Sequence, residues 1–103
     1  MNKLRFVQLL TTLAMPLGLA HAQAPDPLHV RSWAASCANC HGTNGLAQQG
    51  MEPLAGKSRD EIVQKMQDFK NGRKPATLMH QLSKGYTDEQ ISAIAGYFAA
   101  QKK

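Results

Sequence analysis

The most informative segment of the 103-residue chain is Cys37-Ala-Asn-Cys40-His41, which contains both of its cysteines. A disulfide within it would close a very small loop and tie no distant parts of the chain together. A thioredoxin-like redox pair follows a strand in a βαβ unit, and no strand-like run precedes the motif. A zinc site needs four ligands, and besides the two thiols only His29, His41 and His80 are candidates.

The residue after the second cysteine, His41, favours a fourth interpretation. Cys-x-x-Cys-His is the attachment signature of c-type haem. The thiols of Cys37 and Cys40 add to the haem vinyl groups, and His41 coordinates the iron. One turn of helix places these three side chains on one side. We therefore predict a single covalent haem c, whose apolar surface also supplies the core that so short a chain lacks.

The N-terminal segment is expected to be removed from the mature protein. A basic start precedes a short apolar run, which ends in Ala20-His21-Ala22 with small residues at the −3 and −1 positions. This pattern is typical of a secretory signal peptide. The alternative, a retained membrane anchor, needs ~20 apolar residues. We predict that residues 1–22 are a cleaved signal peptide, that residues 23–103 form one domain, and that the protein is periplasmic.

Length and composition narrow the fold class. The chain is too short for a two-domain enzyme, and with 43% hydrophobic residues it is not disordered by composition. Asp26 and Pro27 are a helix start that would carry the chain to the haem motif, and residues 58–61 and 87–90 are capping boxes. Alternating strand patterns are absent. We predict an all-α domain of three main helices plus a short one near residues 78–83.

The sixth iron ligand is expected to be a methionine. Met79 lies in the segment between the central and C-terminal helices, which can fold over the face of the haem opposite the histidine. His80 is its main rival. Met66 lies on the apolar stripe of its helix, where core packing is the simpler role, and His29 lies in the leading helix. A thioether raises the iron potential relative to a second imidazole, so this choice also concerns function.

The mature chain resembles the class I cytochromes c over its whole length. It has the leading helix and haem motif, a loop, a central helix, a late methionine, and a C-terminal helix with Tyr97 and Phe98. The segment Pro53-Leu-Ala-Gly56 resembles the proline segment that follows the haem motif in that family. The resemblance implies that the carbonyl of Pro53 accepts the Nδ1–H of His41. It also implies that Met51 lies on the histidine side, which counts against Met51 as sixth ligand.

A narrower resemblance concerns the second half of the chain. Residues 69–79, 84–91 and 95–98 are similar to the cytochrome subunit of flavocytochrome c sulfide dehydrogenase. In that family a haem subunit accepts electrons from a flavoprotein that oxidises sulfide. The resemblance implies an electron carrier, not an enzyme, with a flavoprotein partner. A free soluble carrier serving a terminal oxidase or reductase is the alternative. A haem enzyme or sensor would need an open sixth position.

The charge distribution bears on partners. The net charge of +5 falls to +3 without the two basic residues of the leader, and no aromatic–basic alternation appears, so nucleic acid is not expected. The basic residues Arg73, Lys74 and Lys84 flank the methionine segment. They are either a solvated face or a surface that steers an acidic partner. A homodimer through apolar surface near Leu46, Met51 or Leu54 stays open.

Overall fold

Four α-helices, connected by irregular segments, form the part of the chain that the computed structural model describes, namely Gly18 and residues 24–103. The predicted signal peptide and its cleavage site lie outside the described residues, apart from Gly18. No strand occurs within the described part, and the expected all-α fold is confirmed. The helices are α1 (Pro27–His41), α2 (Arg59–Lys70), α3 (Met79–Leu82) and α4 (Asp88–Ala99), with 3₁₀ turns at Thr43–Gly45 and Ser83–Gly85.

Local capping explains where the long helices begin. The Asp26 carboxylate accepts the Leu28 N–H at 2.7 Å, so α1 starts as predicted. Thr87 and Gln90 form a complete capping box at α4. At α2 only half of the predicted box is present. The Ser58 hydroxyl accepts a backbone N–H, but the acidic side chain three residues later pairs with lysines instead.

The core lies where α4 crosses the other two long helices. Helix α4 packs against both α1 and α2, and α3 packs against α2. Phe98 at the centre is 1% exposed, and burial of a side chain of this size contributes about 1.5–3 kcal/mol. The buried cluster is small for a domain: Ala34, Ile62, Met66, Ile91, Ile94, Ala95 and Phe98. No helix among the described residues is long and apolar enough to cross a membrane.

The two connecting segments beside the core differ in how firmly they are held. In the segment after α1, the Gly45 carbonyl accepts the backbone N–H groups of Leu54 and Ala55 at 3.0 and 3.1 Å, and the Gly56 N–H donates to Phe98 O at 3.0 Å. In the segment between α2 and α3, residues 75–78 donate no backbone hydrogen bond to another backbone group of the described chain. The loop after α1 is therefore tied to α4 by a backbone hydrogen bond, whereas residues 75–78, which precede Met79, donate no such bond.

Candidate haem-binding site

The last turn of α1 brings the haem motif to one apolar cavity. Cys37, Cys40 and His41 all line a cavity of about 400 Å³, because residues three and four apart share a helix face. Both thiols are free. Burial raises the pKa of the Cys37 thiol, so this thiol behaves as part of the apolar wall. Cys40 is exposed, so its thiol lies at the solvent edge of the cavity.

The walls of the cavity fit a flat apolar group. Its volume lies within the ~300–1,000 Å³ typical of ligand and cofactor sites. All three long helices and the segment before α3 contribute to it, and most of the lining side chains carry no charge. The apolar members are Met51, Leu54, Ile62, Met66, Phe69, Pro75, Ala76, Leu78, Met79, Leu82, Ile94 and Phe98. The residues present therefore fit a covalently attached porphyrin.

The ring of His41 is held by a backbone carbonyl one residue earlier than expected. Nδ1 of His41 lies 2.6 Å from the carbonyl oxygen of Glu52, so the role predicted for Pro53 is corrected. This oxygen belongs to the peptide bond between Glu52 and Pro53. Proline has no N–H and restricts the residue before it to extended conformations, which helps to hold this carbonyl in place. Pro53 itself lines a separate surface groove and not the cavity.

The side chain of the same residue, Glu52, belongs to a charged cluster at the cavity rim. Lys65 and Lys57 both bond its carboxylate, the latter at 3.0 Å. These bonds, from Lys65 first, lower the pKa of Glu52 to about 2. Glu61 joins both lysines at 3.6 and 3.3 Å. This cluster is not among the features predicted from the sequence, although the spacing of Lys57, Glu61 and Lys65 by four residues is a signal for helix-surface pairs.

The structure places Met79 on the cavity and leaves its main rival outside. Met79 is the first residue of α3 and is half-buried among the lining residues. His80 does not line the cavity, and its Nδ1 atom is buried without a hydrogen-bond partner in the described part of the chain. Met66 is only 8% exposed within the core, as a packing role requires. His29 stacks on a tryptophan outside the cavity.

Tyr86 is a lining residue that the sequence analysis did not identify. Its hydroxyl lies 2.7 Å from Ser36 Oγ. Because Ser36 donates its own proton to the Trp33 carbonyl at 2.8 Å, the tyrosine is the donor. The Tyr86 carbonyl in turn accepts from Lys70 Nζ at 2.7 Å. These bonds join α1 and α2 to the segment before α4, beside Cys37. The partners lie up to 50 positions apart, and no local pattern marks them.

Fold and site together define a class of small all-α proteins that attach haem through a Cys-x-x-Cys-His motif. The family described as cytochrome c matches residues 30–102, and the chain belongs to it. The expected resemblance, the covalent haem c and the electron-carrier role are thereby confirmed. The function at this level is haem-based electron transfer.

Individual relatives lie within the same family. The chain is 44% identical over 68 residues to the cytochrome subunit of sulfide dehydrogenase of Chlorobaculum tepidum, with 66% of the chain and 62% of the relative covered. It is 40% identical to cytochrome c4 of Pseudomonas aeruginosa over 99% of the chain and 50% of the relative. Cytochrome c-553 of Helicobacter pylori is 35% identical over 85% of the chain and 95% of the relative. The chain thus spans 62% and 50% of the lengths of the first two of these relatives.

Proposed function

We propose that the chain transfers single electrons through one haem c that is bound covalently by Cys37 and Cys40 and ligated by His41 and Met79. The observation that carries this proposal is the shared cavity. The imidazole, the two thiols and the thioether all line the same apolar space. Of the methionines there, Met66 belongs to the buried core and Met51 is 43% exposed, which leaves Met79 as the favoured ligand.

The chain's own residues hold and insulate this site. The bound haem supplies one-electron redox chemistry, with a potential that depends on its axial ligands and surroundings. The Glu52 carbonyl accepts the Nδ1–H of His41, which fixes the tautomer and leaves Nε2 available for coordination. Buried Phe98 and Ile94 exclude water from the inner wall. A thioether from Met79 favours a higher potential than a second histidine.

Optical spectra of the haem-loaded protein test the ligand assignment. The ferric wild type should show the weak far-red band that methionine–iron bonding produces, and the ferrous form should bind carbon monoxide slowly. Met79→Ala should abolish the band, whereas the matched neighbour variant His80→Ala should keep it. If wild-type protein lacks the band and binds carbon monoxide rapidly, the sixth position is open, and a haem sensor or enzyme becomes the better interpretation.

The proposed electron donor is a flavoprotein dehydrogenase of the sulfide-oxidising kind. The support is the 44% identity to the cytochrome subunit of sulfide dehydrogenase. Of the basic residues that flank the methionine segment, Arg73 pairs with Asp68 at 3.0 Å and Lys74 lies over the Phe69 ring. Lys84 is exposed, and its charge can steer an acidic partner.

Anaerobic mixing tests the donor. Ferric protein should be reduced much faster by sulfide together with the flavoprotein subunit of a sulfide dehydrogenase than by sulfide alone. The rate should fall as salt rises, because salt screens exposed charges. Equal rates with and without the flavoprotein would favour the alternative, a free carrier for a terminal oxidase or reductase.

Export and oligomeric state are also proposals. A cleaved leader places Gln23 at the N-terminus of periplasmic protein, which mass spectrometry of that fraction would detect. Retention of residues 1–22 would contradict the signal-peptide prediction. Leu46 and Met51 are 56% and 43% exposed, so a homodimer would have apolar surface to bury. Sedimentation of the haem-loaded protein at several concentrations decides between monomer and dimer.

A further inference from the structure

A buried hydroxyl contacts the backbone of Met79, the proposed iron ligand. Ser83, the first residue of the 3₁₀ turn after α3, is 0% exposed and is the only buried polar residue among those described. A hydroxyl without a hydrogen bond is costly in such a place, so its partner matters. Ser83 Oγ donates to the carbonyl oxygen of Met79 at 2.6 Å, and the backbone N–H of Ser83 also donates to that oxygen.

The surroundings make these bonds important for the position of Met79. Helix α3 has only four residues, and its N-cap residue Leu78 provides no side-chain bond. So short a helix is not stable by itself. Ser83 Oγ also lies 3.6 Å from the Met66 sulfur in the core. The hydroxyl therefore connects the first residue of α3 to the buried face of α2.

We propose that Ser83 is a positioning residue that holds the backbone of Met79 so that its thioether stays at the cavity. This inference rests on the proposed ligation by Met79 and goes one step beyond it. Ser83 restrains the Met79 carbonyl, so displacement of the thioether through movement of this segment has to break the bond from Ser83. Loss of the hydroxyl should therefore make the sixth ligand easier to displace.

Titration of ferric, haem-loaded protein with imidazole measures this displacement. Ser83→Ala should bind imidazole about fivefold more tightly than wild type, the change that corresponds to one hydrogen bond of about 1 kcal/mol. The far-red methionine band should also disappear at a lower temperature. Unchanged imidazole affinity together with an unchanged band would overturn the inference.

Two control variants separate positioning from general loss of stability. Ser32→Ala removes the same kind of bond, from a serine hydroxyl to the carbonyl four residues earlier, at 2.9 Å in α1. Ile91→Val trims a 0% exposed core residue that does not line the cavity. Both should bind imidazole as wild type does. If Ile91→Val matches Ser83→Ala in affinity at equal unfolding free energy, Ser83 has only a structural role.

Two further measurements distinguish failure of the proposed Met79 ligation from failure of the positioning role of Ser83. If Met79→Ala retains the far-red band, the ligation itself is wrong; if it loses the band while Ser83→Ala behaves like the controls, only the positioning role fails. Hydrogen exchange of wild-type protein needs no variant. The Ser83 amide, which donates to Met79 O, should exchange more slowly than an unstructured amide does. Exchange at the unstructured rate would contradict the inference.

Discussion

Replacement of Gly42 by alanine tests how the chain turns away from α1 directly after His41. Gly42 ends α1 with φ 81° and ψ 160°, a backbone region that is essentially restricted to glycine. A Cβ there would run into the carbonyl oxygen of Leu46 and would lie 2.6 Å from its carbonyl carbon. Both atoms belong to the backbone, so no flexible side chain can move aside.

The expected loss of stability in Gly42→Ala has two physical causes. The strained backbone costs about 1–3 kcal/mol, and the overpacked contact costs typically another ~1–3 kcal/mol. Gly42→Ala should therefore lower the free energy of unfolding by about 2–6 kcal/mol. A protein of this kind is stable by only about 5–15 kcal/mol in total. Gly72→Ala is the matched control, since φ is +73° there but a Cβ would meet nothing within 4 Å.

Denaturant unfolding of the haem-loaded proteins, followed by far-ultraviolet circular dichroism, measures the unfolding free energies of both variants. Gly72→Ala should lose about 1–2 kcal/mol, the cost of left-handed backbone alone. Gly42→Ala should lose clearly more, and a smaller fraction of it should carry haem. If the two variants lose the same free energy, the steric argument at the end of α1 is wrong.

Two further predictions concern the charged cluster and a helix cap. Lys65 and Lys57 lower the pKa of Glu52 from 4.5 to about 2. The ionised Glu52 carboxylate therefore stabilises the fold above pH 4.5, and this contribution is lost as the pH falls through about 2. The unfolding free energies of wild type and Glu52→Gln should differ by less than about 1 kcal/mol near neutral pH and converge in acid; a constant difference would refute this. Thr87→Ala should cost about 0.5–2 kcal/mol without changing the far-red band, and an altered band would show that the cap reaches the haem site.

The local features of the fold could be predicted because their causes are local. A cap such as Asp26 bonds a backbone N–H two residues away, and Gly72 with φ +73° stops α2 one residue after its C-cap. The haem motif is equally local, since one helical turn brings its three side chains together. These features depend on neighbouring residues, which the sequence displays directly.

The features that sequence analysis missed depend on packing between distant segments. Lys65 reaches Glu52 across 13 positions, and no periodic pattern links a loop residue to a helix face. The acceptor for His41 was placed one residue late, because the resemblance located the proline segment but not which carbonyl faces the ring. Ser83 has an ordinary surface-type sequence context, and only the packing of α3 on α2 buries it.

The unequal anchoring of the two connecting segments has a consequence for motion. The loop that faces His41 is closed on itself by bonds to Gly45 O and is tied to α4 by the bond from Gly56 to Phe98 O, so its opening has to break all of these bonds. Residues 75–78, before Met79, donate no backbone hydrogen bond to another backbone group of the described chain. Local opening is easiest where backbone bonds are fewest. The molecule should therefore fluctuate asymmetrically, with the segment before Met79 opening more often than the loop that faces His41.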